Sequence, residues 1–304
     1  MESFRRGWSF LQQAWKMAAA DRDLIKPSIY ALFVGFIVGL IGIVPFVIVT
    51  ILFQDGGTLS NIIYAVLGGL LAFSQYVVTY VFSAMTVYLI YGYLSEGDGR
   101  MDKAWEIVRR DWLDILSLAA ASALVSMVQN WVRNQGRRRD GLGGALAQTV
   151  ANLLQTVWTE ATYLILPAMV IEDINLKGGV QRAAYIVRNN LLLVGVSTIG
   201  VRWVTGLISF VLGFIGIALG VGLALPIIAL SNGALIGIVV GVGLGVLVAS
   251  LFFMTGAVIS SYTSTAYHTC LYLWAREVEK AGQAQAGIPV NIPAPAPLAA
   301  VMGG

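Results

Sequence analysis

The sequence predicts an all-α fold: a polytopic transmembrane helical bundle of about six spans, with amphipathic helices at the cytoplasmic interface and a threefold internal repeat. Three observations predict it. Of 304 residues, 58% are hydrophobic and 12% are charged, with a mean hydropathy of +0.79, whereas a soluble domain carries roughly 25% charged residues. Apolar stretches long enough to cross about 30 Å of hydrocarbon recur along the chain. Similar polar segments stand before three of them.

The opening 27 residues mix Arg5, Arg6, Lys16, Arg22 and Lys26 with Asp21 and Asp23. They are too long and too mixed for the basic region of a secretory signal, so the first apolar run is expected to remain as an anchor. Six stretches meet the requirement of about 20 apolar residues: 28–53, 61–89, 113–131, 145–171, 191–217 and 234–254. The last two lie in one run, 191–275, whose only charge is Arg202. At about 1.5 Å per residue this run is about twice what two perpendicular spans need. Long or tilted helices, a re-entrant piece or an intramembrane turn are therefore expected, with breaks at Pro226 and at Ser231, Asn232 and Gly233. The domain organisation follows: 1–27 as an interfacial amphipathic helix, 28–275 as the membrane domain, and 276–304 as a Pro/Ala-rich tail.

Lysine and arginine in the connections predict orientation. Five precede the first span, four lie in 95–112, three in 172–190 and two after Ala275, against Arg133, Arg137, Arg138 and Arg139 in one opposite loop. Both termini are expected in the cytoplasm, with the protein in the cell membrane.

The three cytoplasmic segments share a spacing. Ala14-Trp15 precedes Asp21, Ala104-Trp105 precedes Asp111, and Ala183-Ala184 precedes Asn190. Apolar residues recur at helical intervals in each: Leu11, Trp15, Ala18; Met101, Trp105, Val108; Val180, Ala184, Val187. Each segment reads as a short helix in the headgroup plane, anchored by Trp8, Trp15, Trp105 and Trp112, with the polar residue capping the span that follows.

Residues 158–173, Trp-Thr-Glu-Ala-Thr-Tyr-Leu-Ile-Leu-Pro-Ala-Met-Val-Ile-Glu-Asp, followed by Gly178 to Asn190, resemble a family of uncharacterised prokaryotic six-helix integral membrane proteins of unknown function. The opening from Arg6 through Trp15 to Asp21 and the segment from Ser260 to Ala275 are similar to it as well. The resemblance implies a topology and no activity.

Two constellations carry the candidate sites. Glu160 stands twelve residues before Glu172, and Arg202 twelve after Asn190. At about 1.5 Å per residue both are expected about 18 Å deep, as an intramembrane charge pair. The two charges would lock two helices, serve a transport or proton path, or place one of them against another subunit. Gly233, Gly237, Gly241 and Gly245 recur every four residues, a smooth face for helix packing.

The remaining chemistry is sparse. The net charge of +3 and the absence of a basic stripe with interleaved aromatics argue against nucleic acid. His268 and Cys270, the only residues of their types, point apart on a helix and call for no metal. Gly241 to Gly245 lacks the Lys and Ser or Thr of a phosphate loop. No motif calls for a cofactor, no catalytic residues are assigned, and an enzyme is not expected. The leading expectation is a scaffold or assembly subunit whose partners are membrane lipids and a second copy or another membrane protein. A small-solute or ion transporter using Glu160 and Arg202 is the alternative. The uncharged tail, with Pro289, Pro293, Pro295 and Pro297, is expected to be extended and to contact another polypeptide.

Overall fold

In long apolar runs that hold almost no charge, a helix pairs every backbone group within its own segment, which is what lipid requires. The computed structural model follows that rule. It describes residues 2–53, 57–137, 142–189, 191–231, 234–284 and 298–299, with side chains outside the description at 2–4, 6, 136, 137, 142, 143, 189, 191–200, 202 and 281–284. Among the described residues there are nine α-helices and no strand: α1 (Glu2–Ala20), α2 (Lys26–Leu52), α3 (Thr58–Glu96), α4 (Met101–Arg110), α5 (Trp112–Arg137), α6 (Leu142–Glu172), α7 (Leu176–Asn189), α8 (Leu191–Leu230) and α9 (Leu235–Ala284). A shorter helix is three times followed by two long ones.

Among the described residues, five helical segments are long and apolar enough to cross a membrane: Arg22–Leu52, Thr58–Glu96, Trp112–Gln135, Trp203–Leu230 and Leu235–Lys280. The protein is thus an all-helical bundle with several membrane-spanning helices. α6, expected as a further span, is not among the five. Gln148, Asn152, Gln155 and Glu160 dilute its apolar character.

The chain forms two units. One comprises α1, α8 from Leu192 onward and α9 as far as Cys270, together with Leu298 and Ala299. In it α8 and α9 form an antiparallel hairpin. Ser209 meets Gly256, Gly213 meets Phe253, Gly220 meets Gly245 and Ala224 meets Gly241 in a constant register. The turn falls at Ser231, while Pro226 lies within α8. The expectation of a break at Pro226 is therefore corrected. Proline is tolerated inside a membrane helix because neighbouring groups satisfy the freed carbonyl, and Pro45 and Pro167 also lie inside helices. Phe10, Ala14, Met17 and Ala18 of α1 are buried. Phe10 stands edge-on to Tyr267 with ring centroids 5.2 Å apart, and Trp15 meets Tyr262 at 5.8 Å.

The second unit comprises α2 to α7 and α9 from Leu271. Pro27 in the first turn of α2 loses no helical hydrogen bond. Gly97 closes α3 in the left-handed conformation, φ 81°, with its N–H on the Tyr93 carbonyl at 3.0 Å, which suits glycine because it has no Cβ to clash. Gly99 then lies against Asp21. Its N–H donates to Asp21 Oδ2 at 2.7 Å, and a Cβ there would stand 2.8 Å from the same oxygen. Asp21 also accepts from the Asp23 N–H at 2.9 Å, capping a short 3-10 turn ahead of α2. The helices α2 and α3 pack as a hairpin, α5 and α6 as another, and α3 touches both of the latter.

Candidate functional site

Polar groups in an apolar bundle decide what it can do, because each must find a partner or face water. Across α2 and α3, Gln75 Nε2 donates to the Gly35 carbonyl at 2.9 Å. Between α3, α5 and α6, Ser122 Oγ accepts from Trp158 Nε1 at 2.9 Å and shares a 2.7 Å hydrogen bond with the Tyr80 hydroxyl. Toward the far end of α5, Arg133 Nη2 donates to Asn152 Oδ1 at 3.3 Å. Each of these bonds joins two helices.

The charged rim at the other end of this unit is tied as closely. Arg182 of α7 bridges Glu172 at the end of α6, Nε to Oε1 at 3.3 Å, and Glu279 of α9, Nη2 to Oε2 at 2.5 Å. The hydrogen bond to Glu279 comes first among the causes that push the Arg182 guanidinium above its ordinary range. Arg110 reaches Asp111 at 2.6 Å and Asp173 at 3.3 Å, and the Asp111 bond raises Arg110 in the same sense. Asp111 is buried, and its carboxylate is held by Arg110. Asp173 ends α6 at φ 55°, a conformation aspartate tolerates. Among the described residues no group of three His, Cys, Asp or Glu side chains is placed to hold a metal.

The residues singled out in the sequence fall as follows. Glu160 lies on α6 with its side chain half-buried. The side chain of Arg202 lies outside the described residues, and with it the pair. Gly233 lies outside them too, as does almost all of the Pro/Ala-rich tail. Gly241 and Gly245 face α8: a Cβ on Gly241 would stand 3.0 Å from the Ala224 carbonyl oxygen, and one on Gly245 2.7 Å from that of Gly220. Gly237 lies against Ser231. Trp8 is 42% exposed, Trp105 41% and Trp112 53%. Trp15 is half-buried and donates through Nε1 to Thr263 Oγ1 at 3.3 Å.

In α4 and α7 the inward face is shifted from the expected stripe, whereas α1 buries Leu11 and Ala18 of its own. Ala14, Ala104 and Ala183 are only 0%, 0% and 3% exposed, while Trp105 and Ala184, one position on, face outward. In α7 the expected stripe Val180, Ala184 and Val187 gives way to Gly179, Ala183 and Ile186. Small residues let backbones approach: a Cβ on Gly179 would stand 3.0 Å from Met169 Cγ and 3.1 Å from Ile165 Cγ2. Sequence reasoning also missed the Arg182 bridge and the seat of α1 on Tyr262, which join residues remote in the chain.

The long apolar helices and their interlocked polar groups define an all-helical integral membrane protein. The chain belongs to a family of unknown function, DUF6159, whose pattern matches residues 61–282. The match thus takes in the segment 158–190 and the closing helix, and leaves out the opening segment through Asp21. No curated protein matches the chain.

Proposed function

We propose that this protein is a membrane scaffold or assembly subunit, not an enzyme, seated in the cell membrane with both termini in the cytoplasm and built from a threefold repeat of interfacial helix and hairpin. The observation that carries this reading is the use of its polar side chains. Gln75, Ser122, Trp158, Arg133 and Arg182 bind neighbouring helices rather than converging on a common space. The outer surfaces of α2, α8 and α9 meanwhile expose rows of large apolar residues such as Phe33, Phe36, Trp203, Phe210 and Phe214, which suit lipid or another membrane helix. Its partners are membrane lipids and a second copy of the chain or another membrane protein. Native mass spectrometry of the protein extracted in membrane patches tests this. A fixed complex with a second chain supports the reading, and a solitary chain throughout overturns it. The alternative, a small-solute or ion transporter using Glu160 and Arg202, is supported by the position of Glu160 on α6, twelve residues before Glu172. Solute-dependent charge movement in reconstituted vesicles, lost in Glu160→Gln, would favour that reading instead.

A further inference from the structure

α5 runs without a break from Trp112 to Arg137. Arg133 lies 21 residues beyond Trp112, which is about 31 Å at 1.5 Å per residue and close to the hydrocarbon thickness of about 30 Å. With Trp112 at one boundary, Arg133 reaches the headgroup layer at the other. Trp131, exposed beside it, belongs to the residue type that gathers at that level.

The guanidinium there is held by neutral groups. Nη2 donates to Asn152 Oδ1 at 3.3 Å and makes a longer contact with Gln155 Oε1 at 3.5 Å, while Gln148 Nε2 donates to Asn152 Oδ1 at 3.0 Å. Nε is buried and meets no acceptor among the described residues, and no described carboxylate pairs with the group. Amide oxygens orient a guanidinium but leave its charge uncompensated, whereas a phosphate supplies both the charge and the paired oxygens that its fork fits.

We propose that Arg133, positioned by Asn152 and Gln155, binds the phosphate of one phospholipid headgroup at this end of the α5–α6 hairpin. The site is independent of whether the protein is a scaffold or a transporter. A phosphate oxygen would take the Nη–H groups that Asn152 and Gln155 leave free, and the acyl chains would lie along the apolar outer faces of α5 and α6, where Leu124, Val128, Leu146, Val150 and Leu153 are exposed. Free inorganic phosphate offers the same oxygens without the chains that hold them at this depth.

The test uses the full-length protein in detergent, titrated with phosphatidylglycerol, with diacylglycerol of the same chains, and with inorganic phosphate. Bound lipid is counted by native mass spectrometry and thermal stability is followed in parallel. Phosphatidylglycerol should be retained as one tightly held copy and should raise the melting temperature, with neither control doing so. Arg133→Gln should weaken retention about tenfold, the scale of one charge-assisted bond, and Arg133→Lys less. Equal retention of diacylglycerol by the unaltered protein, or unchanged affinity in Arg133→Gln, would overturn the site. Equal stabilisation by inorganic phosphate would overturn its assignment to a lipid. Should Arg133→Gln fail to fold, the comparison of the three ligands on the unaltered protein still decides.

Discussion

The Tyr262 hydroxyl donates to the Ala14 carbonyl oxygen at 3.0 Å, joining residues 248 positions apart. Tyr262 is fully buried and so is Ala14, so this bond fixes α1 against α9 at a point with no room for slippage. Tyr262→Phe keeps the aromatic contact with Trp15 and removes the donor. The Ala14 carbonyl lies within α1 and keeps its helical partner, so the expected loss is about 1 kcal/mol, the usual net worth of a neutral hydrogen bond. Ala14→Leu should cost more, about 1–3 kcal/mol, because it forces added volume into a filled contact. Denaturant titration of the purified protein reads both, and protease protection of residues 1–20 should fall in the same order.

How much of this was legible depended on the range of the cause. The apolar runs announce their helices. In the run around α8 and α9 the small polar residue Ser231 marks the turn, whereas Pro226 marks none, because a proline inside a membrane helix need not end it. The inward face of α7 was misread because large apolar residues point inward in water, whereas in lipid they can point outward and the small ones, Gly179 and Ala183, allow close packing. Arg182 binding both Glu172 and Glu279 is a tertiary fact that no spacing rule reaches.

The glycines of α9 should separate by position. Gly245 stands against the Gly220 backbone, while Gly243, two residues away, has open space where its Cβ would be. Gly245→Val should destabilise by about 2 kcal/mol or more through forced separation of the helices. Gly243→Val should be close to neutral in lipid, since it adds an apolar group to an open surface. Thermal unfolding in nanodiscs compares them directly. Equal effects would show that the hairpin register is different from Gly220 opposite Gly245.

The two tryptophans of α1 should report different surroundings. Trp8 is 42% exposed, and Trp15 packs on Tyr262 and donates to Thr263. In variants retaining one of the two and lacking the other six tryptophans, lipid-attached quenchers at headgroup depth should quench Trp8 strongly and Trp15 weakly. An aqueous quencher reaching both equally would place α1 away from the membrane surface.

The Arg182 side chain is 18% exposed, with Glu172 at 24% and Glu279 at 22%, so the charges are partly shielded from water and their attraction is screened less than at an open surface. Arg182→Gln leaves two carboxylates facing each other without their cation. The expected loss is about 2 kcal/mol, between the median exposed pair and the 3–5 kcal/mol of a fully buried one. The pH dependence follows from the sign of the shift. Glu279 and Glu172 favour the charged arginine and raise its folded-state pKa, so the stabilisation is complete below the unfolded value and disappears only as pH rises through the folded one. Arginine already titrates above about pH 12 when unperturbed, so this contribution should persist across the whole alkaline range in which the protein survives. Unfolding free energies of the unaltered protein and Arg182→Gln, measured from neutral pH to pH 10, should therefore differ by a constant amount. A difference that shrinks toward pH 10 would assign the stabilisation to some other titrating group.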